Sequence, residues 1–396
     1  MKILFLAQRV PYPPNRGDKI LSWRLIERMK RNHDVRVIAF AHGKDDIDAA
    51  KELDKKGIPT VAVPYHHKRQ LIRSIPQLVT GGPLTLGVYG SRRIQREVDR
   101  VIAGVDLVYA FSSSMGAFML PHKGPQVMHM CELDSDKWKQ YAAKATFPKN
   151  LIYAREHKTL FEFEKKLAHA VDDNVFVTPL EQKIFQDLIP GAPSSVLRNG
   201  VDLQYYKPAT TPPQPGMLVF TGVMNYYPNV DGCVWFSKEV LPRIRQKHPK
   251  AELVIVGSQP TPEVLELAKL PGVTVTGFVK DTRDYLNKAA ICVAPLRIAR
   301  GIQNKALEGM AMGLPVVGTT SSTQGIGGIA GQHYIVADGA DAQVEAINRL
   351  LDEPELGRAL GLAARKYVED NYDWEVTFAE LDRIMERAVA KHRKSA

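Results

Sequence analysis

The sequence has few cysteines and no long apolar run. The 396-residue chain contains three cysteines, Cys131, Cys233 and Cys292, far apart in sequence and outside any C-x-x-C pair or Cys/His cluster. A disulfide framework and a zinc site are therefore disfavoured, and we expect no metal. No segment approaches the roughly 18–20 uninterrupted apolar residues of a membrane span. The apolar run at 3–7 is too short for a signal peptide and is closed by Arg9, which favours a cytoplasmic protein.

Several motifs of common enzyme classes are also missing. The loop at 8–18, after the first apolar run, lacks G-x-G-x-x-G, so a dinucleotide-binding dehydrogenase is disfavoured. No G-x-x-x-x-G-K-[ST] is present to make a P-loop, and no G-x-S-x-G to make a nucleophile elbow. A nucleic-acid partner is not expected, because no nucleic-acid-binding motif accompanies the positive charge.

Length and composition indicate two domains. A chain of 396 residues exceeds the roughly 250–300 at which one core stops growing, and its 44% hydrophobic and 24% charged residues are typical of a globular enzyme. The segment 206–216 has four prolines in eleven residues, which predicts an extended linker. We therefore expect domains at 1–205 and 217–373, with a C-terminal helix at about 374–396 packing back on the first.

Both halves alternate short apolar strands with helical patterns. This alternation predicts an α/β protein with two doubly wound, Rossmann-like parallel sheets. A ligand would then lie in the cleft between the domains, at the carboxyl ends of the strands. The main strands are expected at 3–7, 35–40, 217–221, 253–256, 273–276, 291–294, 315–317 and 334–336.

The net charge of +10 is concentrated in the first half. Residues 1–205 contain 31 Lys and Arg against 22 Asp and Glu, whereas residues 206–396 are nearly balanced at 22 against 21. Basic clusters occur at 66–73 and 92–96. Such clusters attract anionic surfaces, a membrane or lipid phosphates among them, although a solvated basic face produces the same pattern.

The segment 295–317 combines a basic, glycine-containing loop with a short helix. Arg297, Arg300 and Lys305 surround the predicted helix N-terminus, where free N–H groups and the helix dipole favour an anion. Each charge-assisted hydrogen bond to a phosphate is worth roughly 1.5–3 kcal/mol, so these groups could hold a diphosphate without a metal. Glu308, one turn further, suits sugar hydroxyls; the alternative is a surface Lys305–Glu308 ion pair.

The order of three motifs carries a resemblance to a known family. Glu308 is followed by M-A-M-G-L-P-V-V at 310–317, N-G-V-D occupies 199–202, and Asp373-Trp374 precedes the last helix. Together they resemble the GT-B glycosyltransferases, specifically the retaining family 4. The form L-D-S-D-K-W at 133–138 is similar to sugar transferases of exopolysaccharide gene clusters.

The resemblance implies a UDP- or GDP-linked sugar as donor substrate and no cofactor. Glu308 would bind the ribose hydroxyls, and the start of the short helix would hold the diphosphate. A glycine loop in each domain would face the donor, and a loop after a strand of the second domain would line the base. The residues concerned are Gly17, Gly222, Gly277, Phe278, Val279, Arg297, Gly301, Asn304, Lys305 and Glu308.

Two positions depart from the family pattern. In the family, a first glutamate eight residues before the position of Glu308 approaches the donor sugar. Here that position is occupied by Arg300. The loop 221–229 lacks the family's Arg and Lys. Our hypothesis is that Arg297, Arg300 and Lys305 supply the missing charge, with Arg300 counted among the catalytic residues.

The first domain is expected to supply the acceptor side. In the polar stretch 129–138, Asp134 or Asp136 could orient the acceptor hydroxyl, and His129 could approach the donor sugar. The alternatives are that the two carboxylates cap the following helix and that His129 is a structural histidine.

These observations lead to one functional hypothesis and two alternatives. The favoured function is retaining transfer of a sugar to a saccharide or polyprenyl-phosphate-linked acceptor in bacterial exopolysaccharide or glycolipid synthesis, at the inner face of the plasma membrane. The alternatives are a GT-B fold nucleotide-sugar epimerase or hydrolase and a non-catalytic nucleotide-sugar-binding protein.

Overall fold

The chain forms two compact units. The computed structural model describes residues 1–14, 17–299 and 301–393. Unit 1 comprises Met1–Arg198 together with the chain from Phe378 onward, and unit 2 comprises Asn199–Thr377. The proline-rich segment 206–216, expected to be a linker, thus belongs to unit 2.

Unit 1 is built on a seven-stranded parallel sheet in the order β3-β2-β1-β4-β5-β6-β7. β1 is the third strand in this order, where Ile3 is paired with Val35 on one side and Leu107 on the other. Its residues from Ile3 to Ala7 are all buried, because helices cover both faces of the sheet. The strands are β1 Lys2–Ala7, β2 Asp34–Ala41, β3 Thr60–Pro64, β4 Leu107–Phe111, β5 Gln126–Cys131, β6 Asp173–Phe176 and β7 Ser194–Val196.

The helices of unit 1 pack mostly through apolar side chains. In α1, for example, Leu21, Leu25 and Met29 recur at helical spacing and are buried. The helices are α1 Gly17–Asn32, α2 Lys44–Lys55, α3 His67–Ser74, α4 Pro76–Thr80, α5 Leu84–Tyr89, α6 Arg92–Val101, α7 Ser113–Gly116, α8 Asp134–Lys144, α9 Lys149–Ala170 and α10 Pro179–Leu188, with a 3₁₀ turn at Ile102–Gly104.

Unit 2 is built on a six-stranded parallel sheet in the order β10-β9-β8-β11-β12-β13. Val219 of the central β8 is paired with Val254 and with Cys292 on its two sides. The strands are β8 Met217–Thr221, β9 Glu252–Val256, β10 Val273–Val275, β11 Ile291–Ala294, β12 Val316–Gly318 and β13 Ile335–Val336.

The helices of unit 2 cover both faces of this sheet. The sequence between β8 and β9 has a helical pattern from about 231 to 246, but the helix begins earlier, at Tyr227, and a π-helical turn at Phe236–Val240 divides it. The helices are α11 Tyr227–Trp235, α12 Leu241–Lys247, α13 Pro262–Glu266, α14 Arg283–Leu286, α15 Asn304–Ala311, α16 Thr320–Thr323, α17 Gly339–Asp352, α18 Pro354–Tyr372 and α19 Trp374–Arg393, with a 3₁₀ turn at Leu267–Lys269.

The predicted fold class is confirmed: the chain contains two parallel sheets, each flanked by helices. Strands 217–221 and 291–294 begin and end as expected, and the other strands of the expected set differ by one residue at one end or at both ends. Within the described residues, no helix is both long enough and apolar enough to cross a membrane.

Candidate functional site

The candidate donor site lies at the start of α15, in the loop-helix segment that follows β11. Leu307, Met310 and Ala311 are fully buried, so one face of this helix is anchored in the core of unit 2. The first turn therefore has a fixed orientation. Lys305 and Glu308, one turn apart, both lie half-buried instead of on the open surface.

Lys305 is held by an amide of a different helix. Its Nζ donates a hydrogen bond of 2.8 Å to Oδ1 of Asn229 in α11, and it lies 5.1 Å from the centre of the Phe220 ring. Burial lowers the pKa of Lys305 to about 8, although Glu308 acts in the opposite direction. The ammonium has a neutral partner and little water around it, an arrangement that suits capture of an anion.

Glu308 faces the side chain of Tyr206. Burial raises the pKa of this carboxyl, and a hydrogen bond with Tyr206 and the charge of Lys305 act in the opposite direction. Tyr206 lies in the segment expected to be a linker, and burial raises the pKa of its hydroxyl well above the usual range. A carboxylate set between a cation and a hydroxyl can accept hydrogen bonds from a vicinal diol.

The loop after β8 comes close to Asn229 and Lys305 at Gly222, where there is no side chain to keep them apart. A Cβ on Gly222 would lie 2.7 Å from Nδ2 of Asn229 and 3.5 Å from Cε of Lys305. A Cβ on Gly257, after β9, would lie 1.6 Å from the carbonyl oxygen of Gly222. Both loops follow the carboxyl ends of adjacent strands, the edge at which open α/β sheets bind ligands.

Arg297 is engaged by an ion pair. Its guanidinium contacts the carboxylate of Asp231 through two nitrogens, with Nε at 2.9 Å from Oδ2, and lies 5.7 Å from the centre of the Trp235 ring. The carboxylate raises the pKa of Arg297 and offsets its charge. A phosphate would have to compete with Asp231 for it. Arg300, the remaining cation of the hypothesis, lies outside the described residues.

The other predicted donor-binding residues of unit 2 lie in the loop after β10, in the loop that leads into α15 and at the start of that helix. Gly277 and Gly301 have φ values of +68° and +67°, which glycine adopts without strain. Phe278 is 80% exposed, whereas Val279 packs against the core, so an aromatic face is open to solvent beside the strand end. Asn304 is the exposed first residue of α15.

In unit 1, a cavity of about 230 Å³ lies at the carboxyl ends of β1, β4 and β5. Asp134, at the start of α8, lines it and accepts a 2.6 Å hydrogen bond from the hydroxyl of Ser113. Two non-glycine residues in its wall, Ser112 and Cys131, have positive φ values of 80° and 66°. Strained backbone of this kind is concentrated at functional sites.

Asp136 lies apart from the wall of this cavity. It is half-buried, and one of its carboxylate oxygens accepts a 3.0 Å hydrogen bond from Nε2 of Gln140, one turn further along α8.

Gly17 is the first residue of α1, and a Cβ there would meet no atom within 4 Å.

His129 is a buried histidine in β5. Its Nδ1 lies 2.8 Å from the hydroxyl of Tyr109, and its ring lies against Phe111. Burial lowers the pKa of His129 to about 3, so the ring is neutral at physiological pH. These features describe a structural histidine, and its approach to a donor sugar stays a prediction.

A carboxyl that the sequence analysis did not single out supports Asp134. Oε1 of Glu164, in the middle of α9, accepts a 3.0 Å hydrogen bond from the backbone N–H of Asp134, and Oε2 accepts one of 3.3 Å from that of Ser135. Burial, together with the neighbouring charge of Asp134, raises the pKa of Glu164 to about 8. Across residues 1–14, 17–299 and 301–393, no three His, Cys, Asp or Glu side chains converge in a way that could hold a metal ion.

Comparison with known proteins finds a matching family model and several solved structures of similar fold. Residues 215–353 match the family model of glycosyl transferases group 1. This match spans β8 to α17 and includes the start of α15. The solved structure of sucrose-phosphate synthase from Thermosynechococcus elongatus covers 99% of the chain with a TM-score of 0.73 and 16% identity. The fold is GT-B. Anabaena Alr3699/HepE in complex with UDP, also at 16% identity, covers 98% of the chain with a TM-score of 0.71.

The curated relatives match over part of their length. A glycogen synthase of Mycobacterium tuberculosis is 28% identical over 200 residues, which are 47% of this chain and 47% of that protein. A GDP-mannose-dependent monoacylated alpha-(1-6)-phosphatidylinositol monomannoside mannosyltransferase of Corynebacterium glutamicum is 25% identical over 252 residues, or 56% of this chain and 64% of that protein. The match thus covers less than two thirds of each relative.

Sequence reasoning missed the groups that hold the site residues. Asn229, Tyr206 and Asp231 are the partners of Lys305, Glu308 and Arg297 respectively, and Glu164 is the partner of the α8 N-terminus. The available signal was the Y-Y-P-N run at 226–229, which places Asn229 in the first turn of the helix that follows β8.

Proposed function

We propose that the chain is a glycosyltransferase that binds a nucleotide-diphosphate sugar in unit 2. The observation that carries this proposal is the half-buried pair Lys305 and Glu308 on the first turn of α15, inside the segment that matches the group 1 family model. UDP is the ligand named for the Anabaena structure and GDP-mannose the donor named for the Corynebacterium relative, which favours a UDP- or GDP-linked hexose.

Each proposed donor contact follows from the chemistry of its group. The Lys305 ammonium binds the diphosphate and stabilises the negative charge that grows on it as the glycosidic bond breaks. Glu308 accepts hydrogen bonds from the ribose hydroxyls, and Phe278 offers its exposed ring to the base. Retention of configuration, as in family 4, belongs to this proposal.

The acceptor side of the proposal rests on the cavity of unit 1. Asp134 faces it with a carboxylate already oriented by Ser113 and by the N-terminus of α8. Such a group can accept a hydrogen bond from an acceptor hydroxyl and position it for attack. We propose a saccharide or polyprenyl-phosphate-linked acceptor in bacterial exopolysaccharide or glycolipid synthesis, reached at the inner face of the plasma membrane.

A panel of UDP-, GDP- and ADP-sugars tests the proposal. Release of the nucleoside diphosphate reports turnover, and a thermal shift reports binding without an acceptor. A ligand at about 100 times its dissociation constant stabilises by roughly 2.7 kcal/mol, so binding is detectable even when no acceptor is known. No shift and no release with any donor would refute the proposal.

Two variants and one control assign the diphosphate contacts. Lys305→Ala and Arg300→Ala are each expected to weaken binding of the nucleoside diphosphate, whereas Lys250→Ala, at an exposed position of unit 2, should not. Unchanged affinity in both site variants would refute the charge hypothesis. Product formation without an acceptor would instead indicate an epimerase or hydrolase.

A further inference from the structure

The two short helices that follow β3 have an unusual distribution of polarity. In α3, the buried side chains are the polar residues Gln70 and Ser74, and α4 buries none of its residues. The apolar side chains point to solvent instead. The exposed fractions are 53% for Leu71, 67% for Ile72, 55% for Ile75, 47% for Leu78 and 90% for Val79. These five residues are called the apolar strip.

An exposed apolar strip of this size requires an explanation. Single apolar side chains are common on protein surfaces, but contiguous ones on successive helical turns mark an interaction site. The polar groups that α3 buries show that the helix is oriented with its apolar face outward. A helix folded only for stability would bury Leu71 and Ile72 and expose Gln70.

The charge around the strip identifies what it contacts. From Lys55 to Arg96 the sequence has eight Lys and Arg and no Asp or Glu. Lys68, Arg69 and Arg73 lie on α3 itself and are exposed. Apolar side chains flanked by Lys and Arg are the composition of helices that lie in the interface of an anionic bilayer.

The start of α9 extends the same surface. Nη2 of Arg155 donates to the carbonyl of Gln77 in α4 at 2.6 Å, which brings this helix beside α4. One turn earlier, Leu151 and Ile152 are exposed by 60% and 44%. Two helices that are separate in sequence therefore present apolar side chains at one place.

We infer that the apolar strip, with the arginines and lysine of α3, is a docking surface for an anionic lipid bilayer. The apolar side chains enter the acyl boundary and the basic side chains contact the lipid phosphates. Each basic residue near an anionic surface contributes about fivefold in affinity, and burial of each exposed aliphatic side chain adds to that. Free phosphate would engage only the charges, whereas a bilayer engages both.

Helix α9 connects this surface to the cavity of unit 1, a point that rests on the proposed function. Glu156 accepts hydrogen bonds from the N–H groups of Leu84 and Thr85 at the start of α5, and Glu164 caps α8 beside Asp134. The two carboxylates are eight residues apart, or about 12 Å along the helix. A lipid-linked acceptor could thus reach Asp134 while its chain stays in the bilayer.

Sedimentation with vesicles tests the docking surface. The full chain is incubated with phosphatidylglycerol/phosphatidylcholine vesicles and with pure phosphatidylcholine vesicles. We expect binding to the former, reduced about 25-fold by Arg69→Gln/Arg73→Gln and at least tenfold by Ile72→Asp/Val79→Asp. The matched controls are Lys123→Gln/Lys250→Gln for the charge and Leu362→Asp, a 65% exposed leucine of unit 2, for the apolar change. Both controls should bind like the parent chain.

The outcomes separate the alternatives. Equal loss in the controls, or binding that ignores vesicle charge, would overturn the inference. Size-exclusion chromatography of the parent chain and of Ile72→Asp/Val79→Asp detects self-association. A dimer that dissociates in the variant, without vesicle binding by the parent, would assign the strip to a second copy instead. The thermal shift with UDP or GDP is measured on the same variants, and an unchanged shift keeps a failure of docking distinct from a failure of the proposed function.

Discussion

Titration of Lys305 should make nucleotide binding depend strongly on pH. Burial lowers the pKa of this ammonium to about 8 in the unliganded chain, against about 10.4 for an ordinary lysine. A bound diphosphate would restore the ordinary pKa or exceed it, because a nearby anion favours the charged form. Nucleotide binding is then coupled to uptake of a proton, and affinity falls as the pH rises through 8.

The size of the effect follows from the two pKa values. At pH 9.5 only about 3% of the free chain carries a charged Lys305, so the dissociation constant should be about 30-fold higher than at pH 7, a loss of about 2 kcal/mol. The two buried thiols near the ammonium do not titrate in this window, because burial raises the pKa of Cys292 to about 12 and moves the pKa of Cys233 higher still.

Isothermal titration calorimetry with UDP or GDP between pH 7 and 9.5 measures the loss of affinity and the uptake of the proton. The loss of affinity is the change of the dissociation constant with pH. The number of protons taken up on binding is obtained from titrations in buffers with different ionisation enthalpies. Lys305→Arg is the matched control, because it keeps a charge throughout the range and shares every titration of the nucleotide itself. A parent chain whose pH profile is parallel to that of Lys305→Arg would refute the assignment of Lys305 to the diphosphate.

Three further predictions concern packing and buried groups. Gly222→Ala should displace Asn229 and weaken nucleotide binding about tenfold, whereas Gly104→Ala, whose Cβ meets no atom within 4 Å, should bind normally. His129→Asn should lower the free energy of unfolding by about 1–3 kcal/mol with little change in kcat; a large loss of kcat at unchanged Tm would instead place it at the donor sugar. Glu164→Gln should gain stability relative to the parent chain between about pH 4.5 and 8, because the raised pKa of Glu164 makes the parent's stability fall over that range.

Calorimetric melts of the parent and Glu164→Gln chains at several pH values check the last prediction. The folded parent keeps the Glu164 proton up to about pH 8, while the unfolded chain loses it near pH 4.5. A stability difference that does not change between these pH values would show that Glu164 is ionised in the folded chain.

The sequence by itself determined the two sheets and the position of α15. Strands buried on both faces read as continuous apolar runs, which is why 217–221 and 291–294 are visible without a structure. The helical spacing of Leu307, Met310 and Ala311 likewise sets which face of α15 enters the core, and hence that Lys305 and Glu308 point elsewhere.

Only the tertiary structure decided which groups these side chains meet. The partner of Lys305 is 76 residues away and that of Arg297 is 66 residues away, and Tyr206 reaches Glu308 from a segment whose prolines predict a linker but which belongs to unit 2. The outward orientation of Leu71 and Ile72 was likewise not predictable from the sequence, because the spacing of apolar residues does not say whether a helix packs on a core or on a membrane. Polar pairing and the choice of exposed face depend on how distant segments meet in space, and no local pattern encodes that.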